Sequence, residues 1–234
     1  NTTIDYLKGQ ITGPISFGLA ITDEDRVPIF FDKDLFKAVV KTLSMRAKWQ
    51  AARLKKLFKD IIIFIDEPSL SFFKHEAQGS RIKKEDLAGH IRQMTDAIHG
   101  ENCYAGIHCC GDADWEMALS SGIDILNFDA YNYGESFIKS YEKISDFISR
   151  GGIIAWGLVP TAQDAMKEPA DKLVGQLEKY IALLSGRQID RSKIIKASLI
   201  TPSCGLGALD EKTCGDVIKL CVKVSQSAKE RITV

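Results

Sequence analysis

Apolar runs too short for a helix alternate along the chain with longer stretches in which apolar positions recur every three to four residues. The runs are "QITGPISFG" (10–18), "IIIFIDE" (61–67), "YAGIHCC" (104–110), "DILNFDA" (124–130), "GIIAWGLV" (152–159) and "KASLITP" (196–202), each of strand length. The helical spacing falls over 34–59, 82–98, 113–121, 136–149, 168–186 and 211–231. In the second of these, Ile82, Leu87, Ile91, Met94 and Ile98 share one side, and Gly100 supplies a stop. Strand and helix patterns in alternation predict repeated βα units around a parallel sheet.

Polar, turn-forming and reactive residues gather directly after the strands: "DEPS", "HCCGD", "DAYNY", "VPT" and "TPSCG". A (β/α)₈ TIM barrel concentrates its chemistry at the carboxyl ends of the strands, where successive loops meet over one cavity. An open doubly wound sheet accommodates the same alternation but does not bring five strand ends into one pocket. The expected fold is therefore α/β, a (β/α)₈ barrel forming a single catalytic domain over 1–234. Six units are visible where closure needs eight, so the first one or two units of the barrel are expected ahead of Asn1.

Composition narrows the function classes. With 45% hydrophobic and 26% charged residues the chain is of ordinary globular type, and its 31 basic and 31 acidic residues cancel. That balance gives no reason to expect a nucleic-acid partner, and the basic cluster "ARLKKLFK" reads as a solvated helix face. No run approaches the roughly 18 apolar residues of a membrane span, so a cytoplasmic protein with no membrane partner is expected. The six cysteines, with Cys109 and Cys110 adjacent, suit metal binding or burial better than a disulfide framework.

Strand alternation puts His108 and Cys110 on the same side, where one imidazole and one thiolate can reach a single ion, and turns Cys109 into the core. Cys204 follows the last apolar run in "TPSCGLG", and Asp129 ends the strand after the His-Cys strand. His108, Cys110, Cys204 and Asp129 have the donor types of a tetrahedral zinc shell. The competing reading is that His108 is a satisfied structural residue at a strand end. Cys214 and Cys221, seven apart in the last helix pattern, read as packing residues.

Four stretches, "KGQITGPISF", "IDEPSL", "IHCCGDADWEMALSSGIDILNFDA" and "TPSCGL", span nearly the whole chain and resemble the catalytic domain of cobalamin-independent methionine synthase, in the superfamily that includes uroporphyrinogen decarboxylase and coenzyme M methyltransferases. The resemblance implies a zinc-dependent methyltransferase of methionine biosynthesis. It places the zinc ligands on His108, Cys110, Asp129 (where the family has glutamate) and Cys204, and the carboxylate that holds the homocysteine amino group on Asp66, with Glu67 beside it. Read from the residues alone, Asp66 or Glu67 could instead cap a loop amide or pair with a lysine.

The chain also departs from that family. Ala20 stands where a pterin-stacking tryptophan is expected, Phe72 stands near the place of a folate-contacting glutamate, and no histidine follows His108 to serve as the late proton donor; the others are His75, His90 and His99. Transfer from methyltetrahydrofolate needs a general acid at the departing nitrogen, whereas a methylcorrinoid leaves without a proton. With "FDAYNYGES" and "GGIIAWGLVPT", these losses resemble short single-barrel homologues associated with corrinoid donors. The reading is zinc-dependent methylation of homocysteine, with a methylcorrinoid as donor and a corrinoid protein as possible partner. A coenzyme M methyltransferase, a decarboxylase of the uroporphyrinogen type and a non-catalytic zinc or corrinoid-binding module are the alternatives. Trp156, on a strand, is read as core rather than as a wall of the corrinoid site.

Overall fold

The computed structural model describes residues 5–76, 83–161 and 168–232, except for the side chains of residues 75 and 76. The architecture is α/β, with six parallel strands in the order β1-β2-β3-β4-β5-β6 and helices between them. The strands are β1 (Leu7–Thr12), β2 (Ile61–Asp66), β3 (Tyr104–Cys109), β4 (Ile125–Phe128), β5 (Ile153–Val159) and β6 (Ser198–Pro202). The helices are α1 (Pro14–Ala20), α2 (Lys33–Leu54), α3 (Leu70–Glu76), α4 (Lys84–His99), α5 (Trp115–Leu119), α6 (Ala130–Ile138), α7 (Tyr141–Ser149), α8 (Ala170–Ser185), α9 (Arg191–Lys196) and α10 (Glu211–Arg231). The chain divides into two compact units, Asn1–Leu126 and Asn127–Val234, with the division inside β4.

In the first unit, β1, β2 and β3 pair in parallel with Gly9, Ile63 and Ala105 in one row and Thr12, Asp66 and His108 in another. Ile61, Ile63, Ile65, Ala105 and Ile107 are fully buried. A side chain at Gly9 would run into Ile63 and into Gln50 and Leu54 of α2, so this face of the sheet meets the helices. Strand alternation then sends Lys8, Gln10, Thr12, Asp66 and His108 to the opposite face. On that face the Phe64 ring lies so close over Gly106 that a Cβ there would come within 2.7 Å of it. Helix α4 forms because its apolar positions line one side: Leu87, Ile91, Met94 and Ile98 are buried, each contributing about 1.5–3 kcal/mol of transfer free energy. Ile82, placed on that same face from the sequence, lies outside the described residues.

The second unit is built around β5, β6 and the end of β4. Trp156 is fully buried, stacks on Tyr180, packs against Phe128 and Phe137, and donates from its ring nitrogen to Ser198 Oγ at 2.9 Å. It is a core residue. At Gly157 a Cβ would collide with the Phe128 carbonyl oxygen and crowd Ser203 Cα, so only glycine lets these backbones approach. Leu173, Val174, Leu177, Ile181 and Leu184 give α8 a buried stripe.

Several boundaries differ from the sequence pattern. The first strand ends at Thr12, and "GPISFG" belongs to α1: the Gly13 N–H turns to the Asp66 carbonyl at 2.7 Å and Pro14 occupies the first helical turn, where its missing N–H costs nothing. The long helical pattern over 34–59 stops at Leu54. The pattern over 136–149 is two helices, α6 and α7, and α6 starts as early as Ala130 because Asp129 caps it. Helices α3 and α9 and a 3₁₀ turn at Ile29–Phe31 carry no long apolar period and have no counterpart in the pattern. Among the described residues no helix is long and apolar enough to cross a membrane.

Candidate metal and substrate site

In the first unit, the carboxyl ends of β1, β2 and β3 carry the residues singled out from the sequence. His108 is half-buried near the end of β3 and in register with Asp66. Cys110 lies just past the strand and is exposed, while Cys109 between them is fully buried. The Cys109 thiol points to the carbonyls of Pro68 and Gly111, and burial pushes its pKa up to about 12, which keeps it a protonated packing group.

Asp66 and Glu67 are adjacent but occupy unlike environments. Asp66 is half-buried at the end of β2, and its Oδ2 accepts from Gln10 Nε2. Glu67 has no exposed surface: its carboxylate accepts from the N–H groups of Ile15 at 2.9 Å and Ser16 at 2.6 Å, and from the Ser16 hydroxyl. The Ser16 oxygen in turn accepts from Ser69 N–H at 3.1 Å. Glu67 thus satisfies donors at the first turn of α1 from across the sheet, which suits a negative group at a helix N-terminus. Burial nevertheless dominates and raises its pKa to about 7, with the three Ser16 and Ile15 hydrogen bonds opposing. A carboxylate so enclosed anchors α1; of the pair, Asp66 is the one with an accessible surface. The loop-amide reading describes Glu67.

In the second unit, Cys204 lies just past β6 and is exposed, after Ser203 N–H has closed onto the Val159 carbonyl at 2.8 Å. Asp129 is buried at the start of α6, where its Oδ1 accepts from Asn132 N–H at 3.0 Å and its Oδ2 from Asn132 Nδ2 at 2.7 Å. Both its oxygens are engaged in capping, so serving a metal would cost the helix its cap. Cys214 and Cys221 are half-buried, their thiols directed at the carbonyls of Leu206 and Ile200. Burial raises the Cys221 pKa.

The positions tied to folate contacts are plain. Ala20 closes α1 and is exposed, and Phe72 is an exposed ring on α3, edge-on to Phe73. The described histidines of α4 are committed elsewhere: His90 packs edge-on against Phe36, and His99 Nε2 meets Asp124 Oδ2 at 2.8 Å. The His75 side chain lies outside the described residues.

Sequence reasoning missed three participants. Ser16 and Gly13, which complete the Glu67 anchor, lie in "TGPIS", and Gln10 holds Asp66. A glycine-proline pair after an apolar run is a helix-start signal that could have exposed the first two; nothing local marks Gln10. No protein-family model matches the chain, and no curated protein sequence matches it.

Proposed function

We propose that this chain is a zinc-dependent thiol methyltransferase of TIM-barrel type that methylates homocysteine with a methyl group from a corrinoid. What supports the reading is the set of donors at the strand ends: His108 near the end of β3 with Cys110 just past it, and Cys204 exposed just past β6. One imidazole and two thiols match zinc rather than magnesium or calcium. Three protein ligands leave a position open, the arrangement of a catalytic rather than a structural site. Asp129, committed to capping α6, is left out of the set.

Zinc, when bound, would supply a lowered pKa to the substrate thiol and keep it nucleophilic as a thiolate. The remaining work belongs to the chain. His108, Cys110 and Cys204 would hold the ion, and the two thiolates would reduce its net charge and so preserve the nucleophilicity of the substrate sulfur. Asp66, in register with His108, offers a carboxylate to the substrate ammonium and so orients the thiol. Glu67 keeps α1 fixed against the end of β2 behind it. A methylcorrinoid donor would supply the methyl group and would keep the electron pair of its carbon–cobalt bond, so the chain would need no group to protonate a leaving nitrogen. That chemistry suits a chain in which no histidine follows His108 in the sequence.

The test is methionine formation from homocysteine with methylcobalamin or methyltetrahydrofolate as donor. Product from methylcobalamin alone, lost in Cys204→Ser, is expected. Equal use of the folate donor contradicts the donor assignment, and no product from either donor with zinc-loaded protein contradicts the enzymatic reading.

A further inference from the structure

On the sheet face that bears Asp66, three polar side chains form a line. Lys8 and Gln10 are two residues apart on β1 and so point the same way, and Lys8 Nζ donates to Gln10 Oε1 at 3.1 Å. Gln10 is paired with Phe64, two residues before Asp66, so its side chain must lean toward the carboxyl end of the sheet to reach Asp66 Oδ2, to which its Nε2 donates. The Lys8 ammonium also sits 4.8 Å from the centre of the Phe64 ring, which fixes the lower end of the line.

This order determines the orientation of the amide. An ammonium only donates and a carboxylate only accepts, so the Gln10 oxygen must face Lys8 and its NH₂ must face Asp66. The amide therefore occupies one oxygen of Asp66 with a charge-assisted hydrogen bond and stops that carboxylate from turning down toward Lys8. Among the described residues no donor meets Oδ1, which is left to accept from an incoming cation. A leucine at position 10 would free the carboxylate to rotate. A glutamate would set a second negative charge against it and claim Lys8 directly.

We propose that Gln10 is a positioning residue that selects aminothiols over thiols lacking an amino group, by holding Asp66 with Oδ1 toward the substrate ammonium. The inference rests on the assignment of Asp66 to the substrate in the proposed function, and it adds the residue that makes the contact directional. Lys8 acts one step further back, by fixing the amide.

The experiment compares the binding of homocysteine with that of 4-mercaptobutyrate, which has the same thiol and carboxylate but no amino group. Isothermal titration calorimetry on wild type, Gln10→Leu, Gln10→Glu and Asp66→Asn gives the ratio of the two affinities for each protein, and zinc content is measured on the same samples. Wild type is expected to prefer homocysteine by about ten-fold or more, the effect of one charge-assisted hydrogen bond. Gln10→Leu should reduce that preference to about two-fold or less, Gln10→Glu should do the same, and 4-mercaptobutyrate should bind all four proteins alike. A wild type without the preference, or a Gln10→Leu protein that keeps it while Asp66→Asn loses it, overturns the inference. Zinc content separates the two claims: metal-free protein with a Gln10-dependent preference overturns the zinc reading alone, and zinc-loaded protein indifferent to Gln10 overturns this inference alone.

Discussion

Gly13→Ala should be among the most destabilising single-methyl changes available in this chain. The backbone there has φ −72° and ψ 157°, a conformation open to alanine, so the cost is steric rather than conformational. A Cβ at that position would overlap Glu67 Oε2, come within 2.6 Å of Glu67 Cδ and lie 3.1 Å from the Asp66 carbonyl. The Glu67 carboxylate cannot swing aside into solvent, because it has no exposed surface and accepts three hydrogen bonds from Ile15 and Ser16. Each hydrogen bond to a charged group contributes about 1.5–3 kcal/mol, so displacing the carboxylate far enough to lose two of them costs at least about 3 kcal/mol. Urea denaturation followed by circular dichroism reads this as a lowered midpoint at constant slope. A double-mutant cycle isolates the cause: with Glu67→Ala in place there is room for the new methyl group, and Gly13→Ala should then cost less than about 1 kcal/mol. Additive effects of the two substitutions, or a loss below about 1 kcal/mol for Gly13→Ala alone, would refute the steric argument.

Three further outcomes follow from the same geometry. Because burial lifts the Glu67 pKa from 4.5 to about 7, the folded chain holds this proton more tightly than the unfolded chain; stability should fall as pH rises through that window, and Glu67→Gln should flatten that part of a pH series of urea midpoints. Asp129→Ala should cost about 1 kcal/mol through loss of the α6 cap and leave zinc content unchanged, whereas a fall in bound zinc would restore Asp129 as a ligand. Gly175→Ala, in the middle of α8 with open space around the new methyl group, should stabilise the chain by about 0.5–1 kcal/mol in thermal unfolding, and a loss of stability would show that the site is not open.

What the sequence made legible was whatever repeats with a period. Ile61, Ile63, Ile65, Ala105 and Ile107 face the helices because strand alternation sends them there, and Leu87, Ile91, Met94 and Ile98 share a helix face because 3.6-residue periodicity does. The same alternation put His108 opposite to Cys109, which is buried as the pattern requires. Short elements set by caps escaped it. Helix α9 is six residues long and starts on Asp190, and α6 starts on Asp129, whose two oxygens both turn to Asn132. A residue type that serves equally as metal ligand and as helix cap cannot be assigned from its letter. Asp66 and Glu67 show the same limit: two adjacent carboxylates differ because one faces the open side of the sheet and the other lies beneath α1, a tertiary fact with no local signature. Gln10 is legible only once the β1–β2 register is known, since its partner is 56 residues away.

The central claim, that imidazole and thiol donors from separate strand ends share one ion, is tested most directly by metal analysis of the purified protein together with X-ray absorption at the zinc edge. The account predicts about one zinc per chain in a shell of nitrogen and two sulfurs, at the distances usual for such ligands, and loss of the metal in Cys204→Ser. Protein that carries no zinc after purification with zinc present, or Cys204→Ser protein that retains the full complement, would contradict it.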